Sequence, residues 1–199
     1  GTYTFGSTVL TSPASSAIST FVAKLDSTGT VKWAKQLTPS NVLTALVQGF
    51  CITANDSGDV FIGGNYKYNA DFDPSGGVYT LTVTAANYAA FICKLNSSGN
   101  FVWAKAFQSG GGRVDALAIA VDDSNSVYTT GLFSKAGNDF DPGAANYSLP
   151  IQFKCCSGGF ETNIFVSKLD ASGNFKWAKN MAGGWSSVGN AIALDKHRN

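Results

Sequence analysis

Residues Phe91–Lys105 read FICKLNSSGNFVWAK, and the same pattern stands at two other places in the chain. The other copies are FVAKLDSTGTVKWAK over Phe21–Lys35 and FVSKLDASGNFKWAK over Phe165–Lys179. The tryptophans of the three copies follow one another at intervals of 70 and 74 residues. A tandem repeat of this length decides the architecture first, because each copy is one structural unit that stacks on its neighbours.

Each full repeat contains four strand-like runs. The first two are apolar runs on either side of a turn, as in Leu117–Asp122 and Val127–Gly131. A long connection follows, and the quoted stretch supplies the third and fourth strands around an Asp/Asn-x-x-Gly turn, in which Asp or Asn caps the turn and Gly takes a positive φ. No stretch shows a 3.6-residue period. Four short antiparallel strands in tandem therefore predict an all-β fold of β-propeller blades with little or no helix, and the tryptophans are expected to pack between blades.

The repeats divide the chain into a partial blade over residues 1–37, full blades over 44–107 and 114–181, and the first strand of a further blade over 189–199. That is about two and two-thirds blades, whereas a closed propeller has about four to eight. We therefore predict a fragment of a larger propeller, whose partners are other blades of the same or a neighbouring chain. Closure of the ring by self-association is the less favoured alternative.

Composition narrows the classes of function. The net charge is +1 and charged residues make up 14% of the chain, which argues against a nucleic-acid binder. No apolar run is long enough to span a bilayer as a helix. Cys51 and Cys93 stand where other repeats have small residues and are predicted to lie in the core, whereas Cys155 and Cys156 belong to an insertion and leave disulfide, free thiols and an intermolecular link all open.

The combination of these motifs resembles the SBBP, or seven-bladed β-propeller, repeat. The resemblance rests on IAVD, a turn and VYTTG over 119–131, on DFDPG over 139–143, and on FVSKLDASGNFKWAK over 165–179. It covers nearly the whole chain. It implies a setting in large secreted or surface proteins of bacteria, and therefore an extracellular or cell-surface location, but no catalytic residues, because the family is defined by its scaffold.

The Asp-Phe-Asp-Pro connections hold the main candidate metal ligands, which are Asp71, Asp73, Asp139 and Asp141. Two carboxylates two residues apart in an extended loop can share a hard cation, so Ca²⁺ is one interpretation. The other is a plain turn, with Asp at the first position, Pro at the second and Gly near the fourth. The sequence leaves both interpretations open and predicts no other cofactor.

Trp185 stands outside the repeat pattern, in a Gly-rich loop, and is the candidate aromatic residue for ligand contact. The only histidine, His197, lies in a turn, and no Ser–His–acid arrangement is visible. We therefore predict a non-enzymatic scaffold, adhesion or protein-interaction module whose recognition residues lie in the long connections, since these differ between copies. The alternative is a glycan-binding or glycan-cleaving propeller module, so that partners are surface proteins or glycans.

Overall fold

The computed structural model describes residues 1–11, 17–40, 44–83, 87–151, 162–181 and 186–195. Over these residues the chain forms strands and no helix, which confirms the all-β prediction. Among the described residues no helix is long and apolar enough to cross a membrane. The strands are β1 Thr2–Phe5, β2 Thr8–Thr11, β3 Thr20–Leu25, β4 Val31–Pro39, β5 Leu46–Ala54, β6 Val60–Lys67, β7 Asn69–Asp71, β8 Thr80–Thr82, β9 Ala89–Leu95, β10 Phe101–Phe107, β11 Arg113–Val121, β12 Val127–Ser134, β13 Asn163–Leu169 and β14 Phe175–Met181.

Two four-stranded antiparallel sheets follow chain order, one with the order β5-β6-β9-β10 and one with the order β11-β12-β13-β14. They correspond to the second repeat, 44–107, and the third repeat, 114–181. Their first strands carry equivalent bulges, between Gly49 and Cys51 in β5 and between Ala116 and Ala118 in β11. A repeated bulge bends each first strand at the same point. The predicted four-stranded blades in tandem are therefore confirmed.

The third four-stranded sheet is not formed by one repeat, and the sequence did not predict it. Its order is β3-β4-β7-β8, so the third and fourth strands of the first repeat are joined by a hairpin from the long connection of the second. Thr38 at the end of β4 pairs with Asp71 of β7. The next repeat makes the same contact in shorter form, because Gln108 after β10 bridges Asp139.

Both hydrophobic cores lie between consecutive sheets. The first joins Leu37 to Tyr66, Phe72 and Phe91, and the second joins Phe107 to residues of the third repeat. Alternate residues of β9 serve the two cores, with Phe91 in one and Ile92 in the other. Buried on both faces, this strand is apolar throughout apart from Lys94, whose ammonium group binds Asp59 at 2.9 Å.

The two ends of the described chain hold shorter elements. The β1-β2 hairpin packs on β3 of the same repeat, where the Tyr3 and Phe21 rings lie 4.8 Å apart. Residues 186–195 belong to no strand, but the Ser187 amide donates to the Thr162 carbonyl at 2.9 Å. The same bond joins Val114 to Tyr88 and Val47 to Ile18, so 186–195 lies where β5 and β11 lie in the preceding repeats.

Candidate functional site

The turn between the third and fourth strands is built around one side-chain oxygen. The Asp170 Oδ1 atom accepts bonds from the backbone amides of Ser172 at 3.0 Å and Asn174 at 2.9 Å, and Asn96 and Asp26 make the equivalent bonds. Partial burial opposes ionisation of Asp170, but the bonds from Asn174, Lys176 and Ser172 outweigh it and lower its pKa to about 2. This carboxylate therefore organises a turn.

The tryptophans of the first and second repeats each reach the turn of the repeat that follows. The Trp33 indole donates to the Ser97 carbonyl at 3.1 Å, and the Trp103 indole donates to the Ala171 carbonyl at 3.0 Å. A Cβ built on Gly99, in the same turn as Ser97, would lie 2.9 Å from the Trp33 ring. The expected packing between blades is confirmed for Trp33 and Trp103, whereas Trp177 contacts Tyr128 of its own sheet. The turn glycine is required by the close approach as well as by its φ of 78°.

The Asp-Phe-Asp-Pro connections have the same geometry in both full repeats. The Asp139 Oδ1 atom accepts from the amides of Asp141 at 3.0 Å and Tyr147 at 2.9 Å, and the Asp141 Oδ1 atom accepts from the Gly143 amide at 2.7 Å. Asp71 and Asp73 bond in the same way. Phe140 between the two carboxylates is fully buried.

These bonds use one oxygen of each carboxylate for the turn. Within the described part of the chain, no three His, Cys, Asp or Glu residues are grouped closely enough to hold a metal. Backbone carbonyls could complete a Ca²⁺ site with two carboxylates, so Ca²⁺ at Asp71 and Asp73 or at Asp139 and Asp141 stays a prediction.

Several candidates lie outside the described residues. These are Trp185, His197 and the pair Cys155 and Cys156. Of the other thiols, Cys93 is fully buried and Cys51 is half-buried, and burial raises the pKa of Cys51 to about 12. Such a thiol remains protonated at neutral pH and is a poor nucleophile.

The site that sequence reasoning missed is a polar cluster between the second and third repeats. Asp115 is buried, and its carboxylate accepts from the Arg113 guanidinium and from the Asn65 amide, each at 2.6 Å. The Arg113 guanidinium also lies 5.3 Å from the centre of the Tyr88 ring. The Asn65 Oδ1 atom is buried and has no hydrogen-bond partner.

The repeat does not require these four residues. The bridge between Tyr88 and Arg113 is equivalent to the bridge between Ile18 and Leu46 in the preceding repeat, and this equivalence aligns the repeats. In that alignment, each of the four residues stands opposite a residue of a different type. Comparison of equivalent positions, rather than a search for motifs, would have found the cluster. The aligned residues are Leu132 for Asn65, Ile18 for Tyr88, Leu46 for Arg113, and Gln48 and Val188 for Asp115.

Two cationic side chains, Arg113 and Lys67, lie close to the aromatic ring of this cluster. The Lys67 ammonium group lies 5.6 Å from the centre of the Tyr88 ring. Tyr88, Arg113 and Lys135 line one groove with the backbone of Gly111 and Gly112. We call Lys67, Tyr88, Arg113 and Lys135 the Tyr88 surface. Its three cations outnumber the one buried carboxylate, Asp115, which binds Arg113, so positive charge is in excess beside an aromatic ring and can attract carboxylates.

The backbone near the Tyr88 surface holds two unusual conformations. Tyr68 and Lys135 follow the second strand of their repeats, with φ values of 65° and 70°. A positive φ at a non-glycine residue costs about 1 kcal/mol or more of conformational free energy, and such residues cluster at functional sites. The long connections between second and third strands begin at these two residues, on the edge of the sheets where β5 and β11 start.

No family model matches the chain. The chain is 29% identical over 125 residues to an uncharacterised WD repeat-containing protein of Acanthamoeba polyphaga mimivirus. The match covers 62% of this chain and 9% of that protein. Together with the tandem four-stranded sheets, this similarity supports a propeller-like repeat module.

Proposed function

We propose that this chain is a non-enzymatic scaffold or adhesion module built from SBBP-type repeats, located outside the cell or on its surface, and that it binds partner proteins through the Tyr88 surface. One observation carries the proposal. Asn65, Tyr88, Arg113 and Asp115 contact one another at a place where the other repeats have residues of different type. A scaffold alone does not need this cluster, whereas a recognition site does.

The chemistry of the surface favours a partner segment rich in Asp and Glu. Arg113 is about half exposed, with 48% of its side chain accessible, and Asp115 holds it beside Tyr88. An anchored guanidinium loses little conformational entropy when it binds a second carboxylate. Lys67, near the Tyr88 ring, and Lys135, in the same groove as Arg113, add point charges, which would speed association and make it dependent on salt.

The turn roles of the carboxylates support a non-enzymatic function. Asp26, Asp71, Asp139 and Asp170 each accept backbone amides of their own loops. Each of these carboxylates therefore has a role in turn structure that accounts for its presence in the repeat. The resemblance to SBBP repeats supports the location, and the similarity to a WD repeat-containing protein supports the repeat scaffold.

Binding of acidic peptides tests the proposal. We expect saturable, salt-dependent binding of an Asp/Glu-rich peptide by titration calorimetry, weakened about tenfold or more by Tyr88→Ile, which introduces the residue of the preceding repeat. Lys67→Ala should weaken binding as well. Lys32→Ala removes an exposed cation on the outer strand β4 and should leave binding unchanged, as a control for net charge.

A second variant guards against loss of folding. The triple change Asn65→Leu, Arg113→Leu and Asp115→Val introduces the residue types of other repeats, and replacing a buried carboxylate and its partners by apolar residues is often neutral or stabilising. We expect this variant to fold and not to bind. Unaltered peptide binding by the folded triple variant would overturn the proposal. Tyr88-dependent binding on a glycan array, with no peptide binding, would instead establish the glycan-binding alternative.

A further inference from the structure

The groove beside Arg113 and Lys135 has an apolar lining as well as a cationic one. Leu132 of β12 lines it, and its volume is about 480 Å³. Leu132 is half-buried and stands where the second repeat has the fully buried Asn65. Positive charge is therefore only part of what the groove offers to a partner.

A small residue keeps this groove open. Thr162 also lines it and stands where the preceding repeat has Tyr88. The equivalence follows from one bond, since the Ser187 amide donates to the Thr162 carbonyl at 2.9 Å as the Val114 amide donates to the Tyr88 carbonyl. Threonine is much smaller than tyrosine, so space for a further side chain remains beside Leu132.

The first-strand position of the next repeat is already taken where the groove lies. Residues 186–195 stand there, and the Gly189 amide donates to the Gly131 carbonyl at 3.2 Å. The Thr162 hydroxyl donates to the Ser187 carbonyl at 3.0 Å. The groove is present with these bonds made, so it belongs to the joint between the third sheet and the residues that follow it.

Strand register sets the spacing between the cationic and the apolar side chain. Arg113 pairs with Ser134 and Asp115 pairs with Leu132, so Arg113 and Leu132 are diagonal neighbours on one face of the sheet. Diagonal neighbours lie about 7 to 8 Å apart. In an extended peptide, side chains two positions apart point the same way and are about 6.5 Å apart. The two spacings match.

We infer that the Tyr88 surface recognises an acidic residue together with a large apolar residue two positions away in an extended partner segment. This inference rests on the proposed function and names its partner more closely. The partner carboxylate binds the Arg113 guanidinium, which Asp115 anchors, and the apolar side chain enters the groove that Leu132 lines. Burial of that side chain adds affinity that salt does not screen.

Three capped peptides of equal charge test the inference by titration calorimetry on the whole chain. The first is Leu-Gly-Asp-Asp-Asp-Gly-Leu, the second has Ser in place of both Leu, and the third has four more Gly before and after the Asp residues. We expect the first to bind about tenfold or more tightly than the second, with a more negative heat-capacity change. The third should bind like the second, because its leucines lie too far from the carboxylates.

Two variants that introduce residues of the preceding repeat locate the gain. Thr162→Tyr fills the groove, and Leu132→Asn removes its apolar side chain. Each should abolish the preference for the leucine peptide and leave binding of the serine peptide unchanged. Val102→Ala removes an exposed apolar side chain of β10 and is the control, in which the preference should persist. Circular dichroism must show each variant folded.

The wild-type comparison needs no variant and decides the matter alone. Equal affinity for the leucine and serine peptides would overturn this inference and leave the proposed function standing. A preference that persists in folded Thr162→Tyr and Leu132→Asn would also overturn it, because the apolar side chain would then bind elsewhere. Absence of binding to every acidic peptide would overturn the proposed function as well, so the two can fail separately.

Discussion

At the scale of single residues, the turn between the third and fourth strands shows what the repeated Asp or Asn does. One side-chain oxygen accepts two amides in every copy, and Asn96 does so without a charge. The natural Asn therefore separates the geometric contribution of the side chain from its electrostatic contribution. Hydrogen bonds of this kind contribute about 0.5 to 1.5 kcal/mol each.

Substitution of Asp170 measures the two contributions. We expect Asp170→Ala to lower the free energy of unfolding by about 1 to 2 kcal/mol, because both amides lose their acceptor. Asp170→Asn should lower it less, as Asn96 makes the same bonds. Urea unfolding of the three proteins at pH 7 measures the differences, and equal losses for Ala and Asn would contradict the geometric account.

The charge of Asp170 adds a dependence on pH. Its pKa in the folded protein is about 2, below the value of about 4 expected for an unfolded chain. The stability that comes from ionisation is therefore fully present above about pH 4 and is lost as pH falls toward 2. The difference in unfolding free energy between wild type and Asp170→Asn should shrink over this range.

At the scale of elements, the long connection fastens each repeat to the one before it. The connection bonds to the preceding outer strand through Asp139 and Gln108, with both amide-to-carbonyl distances at 2.9 Å. Phe140 fills the space between Phe107, Phe133 and Phe165. A segment that resembles a surface loop in sequence is thus partly a strand and partly core.

Removal of the Phe140 ring tests this structural role. We expect Phe140→Ala to lower the free energy of unfolding by about 3 to 5 kcal/mol, because it leaves a cavity between two sheets. Phe140→Leu should cost less, since it retains most of the volume. Chemical denaturation is the measurement, and a loss under about 1 kcal/mol for the Ala variant would show that the connection does not support the core.

Calcium at the same connection makes a separate prediction. If Ca²⁺ binds the carboxylates of Asp71 and Asp73 or of Asp139 and Asp141, a chelator will lower the melting temperature, because a ligand bound only to the folded state stabilises it. Asp139→Asn and Asp71→Asn should then reduce the effect of the chelator. Melting curves that are identical in chelator and in Ca²⁺ would exclude the Ca²⁺ interpretation and leave only the turn interpretation.

At the scale of the whole molecule, the sheets were predictable from the sequence, whereas the contacts between neighbouring repeats were predictable only in part. Local alternation in stretches such as Phe91–Lys105 sets strand and turn, and the repeat multiplies that signal. The pairing of β7 with β4 was not predictable, because β7 has three residues and its partner lies in another repeat. The Tyr88 surface was hidden for a related reason, since its residues are far apart in sequence and belong to no motif.

The stability of such a molecule comes from contacts between neighbouring repeats. Each hydrophobic core is shared by two consecutive sheets, so a repeat buries its apolar face only with a neighbour beside it. Met181 and Ile52 are exposed because each lies on a face of the described fold where no neighbouring repeat packs.

The bond from each tryptophan to the next turn has a consequence for how the gene can change. Its acceptor is a main-chain carbonyl, supplied by Ser97 in one case and Ala171 in the other, so codon changes at the acceptor leave the bond in place. Repeats of 70 and 74 residues make the same bond, and thus duplication of a repeat or insertion into its connection does not disturb the joint. A lineage could lengthen or shorten this protein by whole repeats, and diversify the segments between them, while every pair of neighbouring repeats keeps the same bond from indole to main-chain carbonyl.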